Sequence, residues 1–261
     1  MRRNYAAQVS AERPPPGRAA GRRALGGFVL AAAALALISC GSSTAGTSTA
    51  TTDAAASATT ADGASATASG GSAGSGACTP VGLPARRGAQ HIPTPKLQLD
   101  PRRSYVAKLA TNCGTIAIQL DVKRAPRTAA SFAYLVRRGF YNDLTFHRVA
   151  ANFVIQGGDP NGDGSGGPGY TIVEPPPQGL RYTLGTVAMA KTAADPPGAS
   201  GSQFFIVTTH EAPLPAEYAL VGKVVGSYAG METIAKLPTN PPQDGAPQQP
   251  VVISSATLAE S

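Results

Sequence analysis

The 261-residue sequence predicts a mainly β domain, an antiparallel barrel capped by two helices, preceded by a signal peptide and a disordered linker. Three observations carry that reading. Residues 41–77 use only Gly, Ser, Thr, Ala and Asp, so they cannot bury enough apolar surface to offset the entropy of ordering them. Beyond Ser104 the apolar runs are short, and loops of Gly, Pro and Asp separate them. Only two stretches there carry helical spacing, which favours an antiparallel barrel over a parallel α/β sheet.

Residues 1–39 read as the signal peptide. They hold six Arg and one Glu, and after Arg22-Arg23 comes an uncharged run from Ala24 to Ile38. At 15 residues that run is shorter than the roughly 20 needed to span a bilayer. It ends in Leu37-Ile38-Ser39-Cys40 followed by Gly41, which resembles a bacterial lipobox with Cys40 as the lipidated residue; ordinary cleavage near Ala36 or Ser39 is the alternative. Residues 40–77 then form a tether with a root-mean-square reach of roughly 30–36 Å, and the protein is expected to be exported and held on the outer face of a bacterial cell membrane. With Cys40 acylated, Cys78 and Cys113 remain as an even pair in an oxidising setting, so a disulfide is expected, with two buried free thiols as the alternative. It would staple the Pro-rich lead-in, 78–103, to the domain at 104–261.

The basic balance, 22 Lys plus Arg against 15 Asp plus Glu, does not indicate a nucleic-acid partner. Outside the signal peptide it falls to 16 basic against 14 acidic residues, with no dense basic run.

Within the domain, Tyr105, Ala107 and Leu109 alternate with Val106, Lys108 and Ala110, and Ile116, Ile118 and Leu120 alternate again after Asn112-Cys113-Gly114. That is a hairpin. Pro126 can open a helix whose Ala129, Phe132, Leu135 and Val136 share a face, with Gly139 to end it. Strands are expected at Thr145–Val149, Phe153–Gln156, Thr186–Met189, Gln203–Thr208, Ala219–Val225 and Val251–Leu258, and a second helix at Ala229–Leu237.

Several strings carry no chemistry. Gly162–Gly167 matches a dinucleotide fingerprint but leads through Pro168 into another strand rather than a helix. Asp159–Gly164 mimics half a calcium loop, but Tyr170 stands where the bidentate Glu belongs. His91, His147 and His210 lack zinc-ligand spacing, so no metal is expected, and no G-x-S-x-G nucleophile elbow occurs.

A stronger signal remains. Phe146-His147-Arg148-Val149, Asn152–Asp159 and Gly166-Gly167-Pro168-Gly169-Tyr170 resemble the central signature of the cyclophilins, peptidyl-prolyl cis–trans isomerases on an eight-stranded barrel. Val187–Lys191, Gly201–Ile206 and Val221–Val225 resemble later blocks of that family, in its order and near its spacing. The resemblance implies a closed eight-stranded barrel, Arg148 as the catalytic arginine, and Phe153, Val154, Phe205 and Leu214 as walls of a proline pocket. Gln156 and Gln203 would form its polar floor, the former also serving catalysis. The backbone at Lys191 would bond the substrate chain, and Tyr218 stands where many members have His. Pro213 replaces the family's frequent Trp, and the segment 192–199 departs from animal members.

That set suits its implied reaction. Rotating an X-Pro bond breaks amide conjugation, a barrier of about 18–20 kcal/mol, without making or breaking a covalent bond. No nucleophile or cofactor is needed. A permanently charged guanidinium can donate to the prolyl nitrogen as its lone pair localises, favouring the twisted state over the planar one. The expected partners are proline-containing polypeptides and, through the lipid, a membrane surface, with the protein a monomer. A tethered chaperone or proline-segment binder without turnover is the alternative, and the intact Arg148 favours turnover.

Overall fold

A computed structural model describes residues 77–261; the expected signal peptide, Cys40 and most of the tether lie outside them. The lead-in, 78–103, has no regular structure and is tied to the domain at both ends. The hairpin follows as β1 (Tyr105–Thr111) and β2 (Gly114–Leu120), in continuous antiparallel register from Val106↔Gln119 to Thr111↔Gly114. Its two-residue turn needs a residue at positive φ beside it, and Gly114 (φ 111°) supplies one. Cys113, in that turn, is joined to Cys78 by a disulfide.

Helix α1 (Pro126–Arg137) begins on Pro126, where the missing N–H is no loss. Two of its free N–H groups, on Arg127 and Thr128, are taken by the Glu174 carboxylate at 3.0 and 2.7 Å. It ends as a Schellman turn: Gly139 at φ 64° donates to Val136 O, and Phe140 N donates back to Leu135 O. Ala129, Phe132, Leu135 and Val136 are buried, as the apolar spacing requires.

The remaining elements are β3 (Leu144–Thr145), β4 (Arg148–Ala150), β5 (Val154–Gly157), β6 (Ile172–Val173), β7 (Tyr182–Thr183), β8 (Thr186–Met189), β9 (Ala199–Ser200), β10 (Phe204–Val207), β11 (Glu211–Ala212), β12 (Leu220–Val225), α2 (Ala229–Ala235), β13 (Thr239–Asn240), β14 (Asp244–Pro247) and β15 (Val252–Glu260). Eleven of the strands form one curled antiparallel sheet, in the order β13-β14-β4-β5-β10-β8-β12-β2-β1-β15-β3. Two pairs, β11-β7 and β6-β9, stand apart from it.

The sequence reading differs in detail. The strand expected at Thr145–Val149 is broken at Phe146-His147, because its halves pair with different partners: β3 with β15, β4 with β5 and β14. Helix α2 stops two residues short of the expected end, as Lys236 N and Leu237 N already turn back onto Thr233 O and Ile234 O. The strand β14 had no apolar alternation to announce it.

Two apolar clusters result. The larger fills the inside of the curled sheet under α1 and holds Leu109, Ile118, Phe132, Tyr141, Phe146, Ile155, Phe204 and Ile206. Phe204 sits among Phe132, Tyr141 and Phe146, edge-on to all three at 5.5–5.7 Å. The smaller lies on the other face of the same strands and holds Ala150, Val154, Tyr182, Ala188, Phe205, Val207, Ala212 and Tyr218.

Candidate active site

The period of two along β5 and β10 creates the site. Ile155, Phe204 and Ile206 point into the main core, so Val154, Gln156, Phe205 and Val207 must face the opposite side. Register then lines residues up across strands. Arg148 on β4 pairs with Gln156 on β5, which pairs with Phe205 on β10, which pairs with Ala188 on β8. One step along, Ala150, Val154 and Val207 form the next row. A cation, an amide and an apolar ring therefore sit side by side on one face, though the chain brings them from three separate segments.

The guanidinium of Arg148 is held firmly. Nε donates to Asp244 Oδ1 at 2.7 Å and Nη2 to Oδ2 at 2.8 Å, a two-pronged ion pair from the neighbouring strand β14. Nη1 donates to Gln156 Oε1 at 3.2 Å. Of the five donors of a guanidinium, those three contacts leave two for another molecule. The side chain is 25% exposed, so the cation is covered yet reachable.

Gln156 is oriented in turn. Gln203 Nε2 donates to the carbonyls of Gly164 (2.8 Å) and Gly166 (2.9 Å), which cannot donate. Its Oε1 must therefore face Gln156 Nε2, at 3.1 Å, and this turns Gln156 Oε1 toward Arg148. The Gly-rich loop that supplies those carbonyls is gathered by the buried Asp159 carboxylate, which accepts from the N–H groups of Asn161, Asp163 and Gly164.

The apolar side is built around Phe205. The Tyr218 ring lies edge-on to it at 5.4 Å, and Tyr182 lies edge-on to Tyr218 at 6.0 Å. Tyr182 Oη both donates to Tyr218 O (2.8 Å) and accepts from Tyr218 N (2.9 Å), which clamps the backbone there. Burial pushes the Tyr182 phenol up to about 12. The Tyr218 phenol is also raised, by burial first and by Glu217, while the positive charge of Arg148 pulls it the other way. Phe153 and Leu214 pack against the cluster and are partly exposed.

The structure thus gathers Arg148, Phe153, Val154, Gln156, Gln203, Phe205, Leu214 and Tyr218 in one place. Lys191, just past the end of β8, joins them differently. Its side chain is only 6% exposed, with Nζ 3.3 Å from Glu217 Oε2 and 5.6 Å from the centre of the Tyr218 ring. The Cys78–Cys113 disulfide packs with the main core instead, and Cys40 lies outside the described residues. Sequence reasoning missed Asp244 and Tyr182. Asp244 is 96 residues from Arg148, and nothing in Gln243-Asp244-Gly245 marks an ion pair with it. Tyr182 lies in a strand of two residues, too short to show an alternation.

His147, next to Arg148, has both ring nitrogens buried without a hydrogen-bond partner among the described residues. Burial lowers its pKa, and Asp159 and Asp163 only partly oppose that. The positive charge of Arg148 adds to the lowering, so the neutral form of His147 is favoured.

On the face of the curled sheet opposite the main core, an aromatic cluster therefore lies beside an anchored cation. The comparisons narrow this further. Residues 106–258 match the family model described as cyclophilin type peptidyl-prolyl cis-trans isomerase, and the chain belongs to that family. It is 38% identical over 151 residues to a peptidyl-prolyl cis-trans isomerase of Helicobacter pylori, covering 53% of this chain and 90% of that one. It is 35% identical over 182 residues to a probable peptidyl-prolyl cis-trans isomerase B of Mycobacterium leprae, covering 62% of this chain and 59% of that protein. Among solved structures it is similar to a Cryptosporidium parvum cyclophilin-type isomerase determined in the presence of the dipeptide Ala-Pro. There the TM-score is 0.54 at 28% identity, covering 59% of this chain and 98% of that one. The protein is a cyclophilin-type isomerase of X-Pro peptide bonds.

Proposed function

We propose that the protein accelerates X-Pro rotation in exported polypeptides, with Arg148 stabilising the twisted prolyl nitrogen above the Phe205 cluster. One observation carries this: the row Arg148–Gln156–Phe205, in which three bonds hold the guanidinium and two of its N–H groups remain to be aimed. A proline ring seated on Phe153, Val154, Phe205 and Leu214 places its nitrogen beside that cation. As the imide twists, the lone pair leaves conjugation and becomes an acceptor, so the guanidinium bonds the transition state more strongly than either planar isomer. Such a bond is worth roughly 1.5–3 kcal/mol, about ten- to a hundredfold in rate. The rest comes from the apolar cleft, which suits the less polar twisted amide, and from anchoring the peptide backbone at Lys191 while the other side turns.

Two finer readings belong with it. Counting 144–150 as one strand bent at Phe146-His147 gives eight strands in a ring, since its first half pairs with β15 and its second with β5; this supports a closed barrel. The Arg22-Arg23 flank, the apolar run and Cys40 support export and a lipid anchor, and a fatty-acid label that persists in Cys40→Ser would overturn the anchor.

A protease-free prolyl-peptide isomerisation assay tests the central reading. Arg148→Ala is expected to lower kcat/KM about a hundredfold while peptide binding survives. Equal rates for the two proteins would leave a proline-segment binder as the better description.

A further inference from the structure

The lead-in lies outside the region that matches the family model, yet hydrogen bonds carry it to the Gly-rich loop. Its Arg87 guanidinium donates to the carbonyls of Phe140 and Asn142, just past the end of α1, which pins the segment to the domain. From that point its backbone meets the loop twice: Arg87 N donates to Pro160 O at 3.0 Å, and Ile92 N to Pro168 O at 2.9 Å. The fit is close at Gly169, where any Cβ would stand 2.2 Å from Gln90 O and where the backbone, at φ 89°, also favours glycine.

The two legs of the loop are held by different means. The first, 160–164, is gathered from within, since the buried Asp159 carboxylate accepts from the N–H groups of Asn161, Asp163 and Gly164. Arg86 adds an exposed ion pair to Asp163 on the same leg. The second leg, 166–169, has no such internal tie. Among the described residues two hydrogen bonds reach it, one from Gln203 Nε2 to Gly166 O and one from Ile92 N to Pro168 O. The lead-in therefore supplies the bond that fixes the second leg independently of Gln203.

That division matters because Gln203 needs both legs. Its Nε2 donates to Gly164 O on the first at 2.8 Å and to Gly166 O on the second at 2.9 Å. A carboxamide held by both of its N–H bonds has one orientation, here with its oxygen toward Gln156 Nε2 at 3.1 Å. If the second leg drifts, one N–H loses its acceptor and the head group is free to turn over. It would then set an N–H₂ against the N–H₂ of Gln156, and the hold of Gln156 Oε1 on Arg148 Nη1 would lose its support.

We infer that segment 87–92 is a positioning element of the isomerase, in which Arg87 and Ile92 act through the second leg of the Gly-rich loop to orient the Gln203–Gln156 amide pair beside Arg148. The inference rests on the isomerase reading above. The segment's effect on rate passes through Gln203, so it vanishes when that side chain is removed.

The test uses the full chain, with urea midpoints to confirm folding. Arg87→Ala frees the segment from Phe140 and Asn142, and Gly169→Ala drives it off the second leg with a Cβ; should one variant not fold, the other decides. Each is expected to lower kcat about fivefold, the worth of a neutral hydrogen bond, with KM little altered. Each should also shift the side-chain amide NMR signals of Gln203. Arg87→Lys, which keeps a donor for the same carbonyls, should restore most of the rate. In a Gln203→Ala background Arg87→Ala should cost no further rate. A second fall of the same size there overturns the inference, because the segment would then act by another route. Wild-type kcat in both Arg87→Ala and Gly169→Ala, or unmoved Gln203 signals, overturns it as well. A wild type that isomerises no prolyl peptide takes down the isomerase reading instead, and the amide signals then still report whether the segment orients Gln203.

Discussion

Asp244→Asn isolates what the ion pair does for catalysis. Asp244 accepts from Nε and Nη2 of Arg148 at 2.7 and 2.8 Å, and no other acid contacts this guanidinium among the described residues. Asn is the same shape but offers one oxygen and one N–H₂, and the latter would face a guanidinium N–H donor to donor. One of the two bonds is therefore lost, and the head group is left to pivot about the other and about Gln156. A charge-assisted hydrogen bond is worth about 1.5–3 kcal/mol. The pair is partly exposed, which puts its value for rate near the lower end, about tenfold in kcat/KM. Asp244→Ala, which leaves only Gln156 Oε1 as a hold, should lose about a hundredfold. Stability should change by no more than ~1 kcal/mol in either variant, because an ion pair this open to water contributes little to folding. Prolyl-peptide exchange followed by NMR line shape gives the rate without a coupled protease, and urea unfolding gives the stability. Wild-type rates in Asp244→Ala would refute the idea that the cation must be aimed. A loss of rate explained by unfolding would refute it as well.

Two further outcomes are expected. Replacing Cys78 and Cys113 by Ser opens a 35-residue loop, which should lower stability by roughly 3–4 kcal/mol; identical urea midpoints with and without the bridge would contradict that. Both ring nitrogens of His147 are buried with no hydrogen-bond partner among the described residues, and burial holds its folded pKa below the ordinary value near 6.5. A histidine depressed in this way contributes stability that is present above pH 6.5. It is lost as pH falls toward the folded value, because the unfolded chain takes up the proton first. Urea midpoints measured from pH 8 to 5.5 should decline, and His147→Gln should flatten that decline; an equally steep decline in the variant would count against it.

How much was readable in advance follows from which interactions are local. Pro126 and Gly139 bracket α1 because both act through their own backbone, and the alternations of β1 and β2 name their buried faces without reference to anything distant. The Phe205 cluster was named through motif resemblance, and the second face of the sheet gives the physical reason its members meet. The break at Phe146-His147 could not be read this way, since it depends on two partners, β15 and β5, that the run itself does not encode.

From the residues alone came the β1–β2 hairpin, helix α1 and the Cys78–Cys113 pair, because periodicity and parity are properties of the chain, while Arg148 and its apolar neighbours were named by the family resemblance. Tertiary structure alone decided that Asp244 grips that arginine, that two loop carbonyls orient Gln203 and so Gln156, and that a segment outside the matched domain holds the second leg of the Gly-rich loop. Those contacts join residues tens to nearly a hundred positions apart, and only the curling of the sheet brings them within hydrogen-bonding reach.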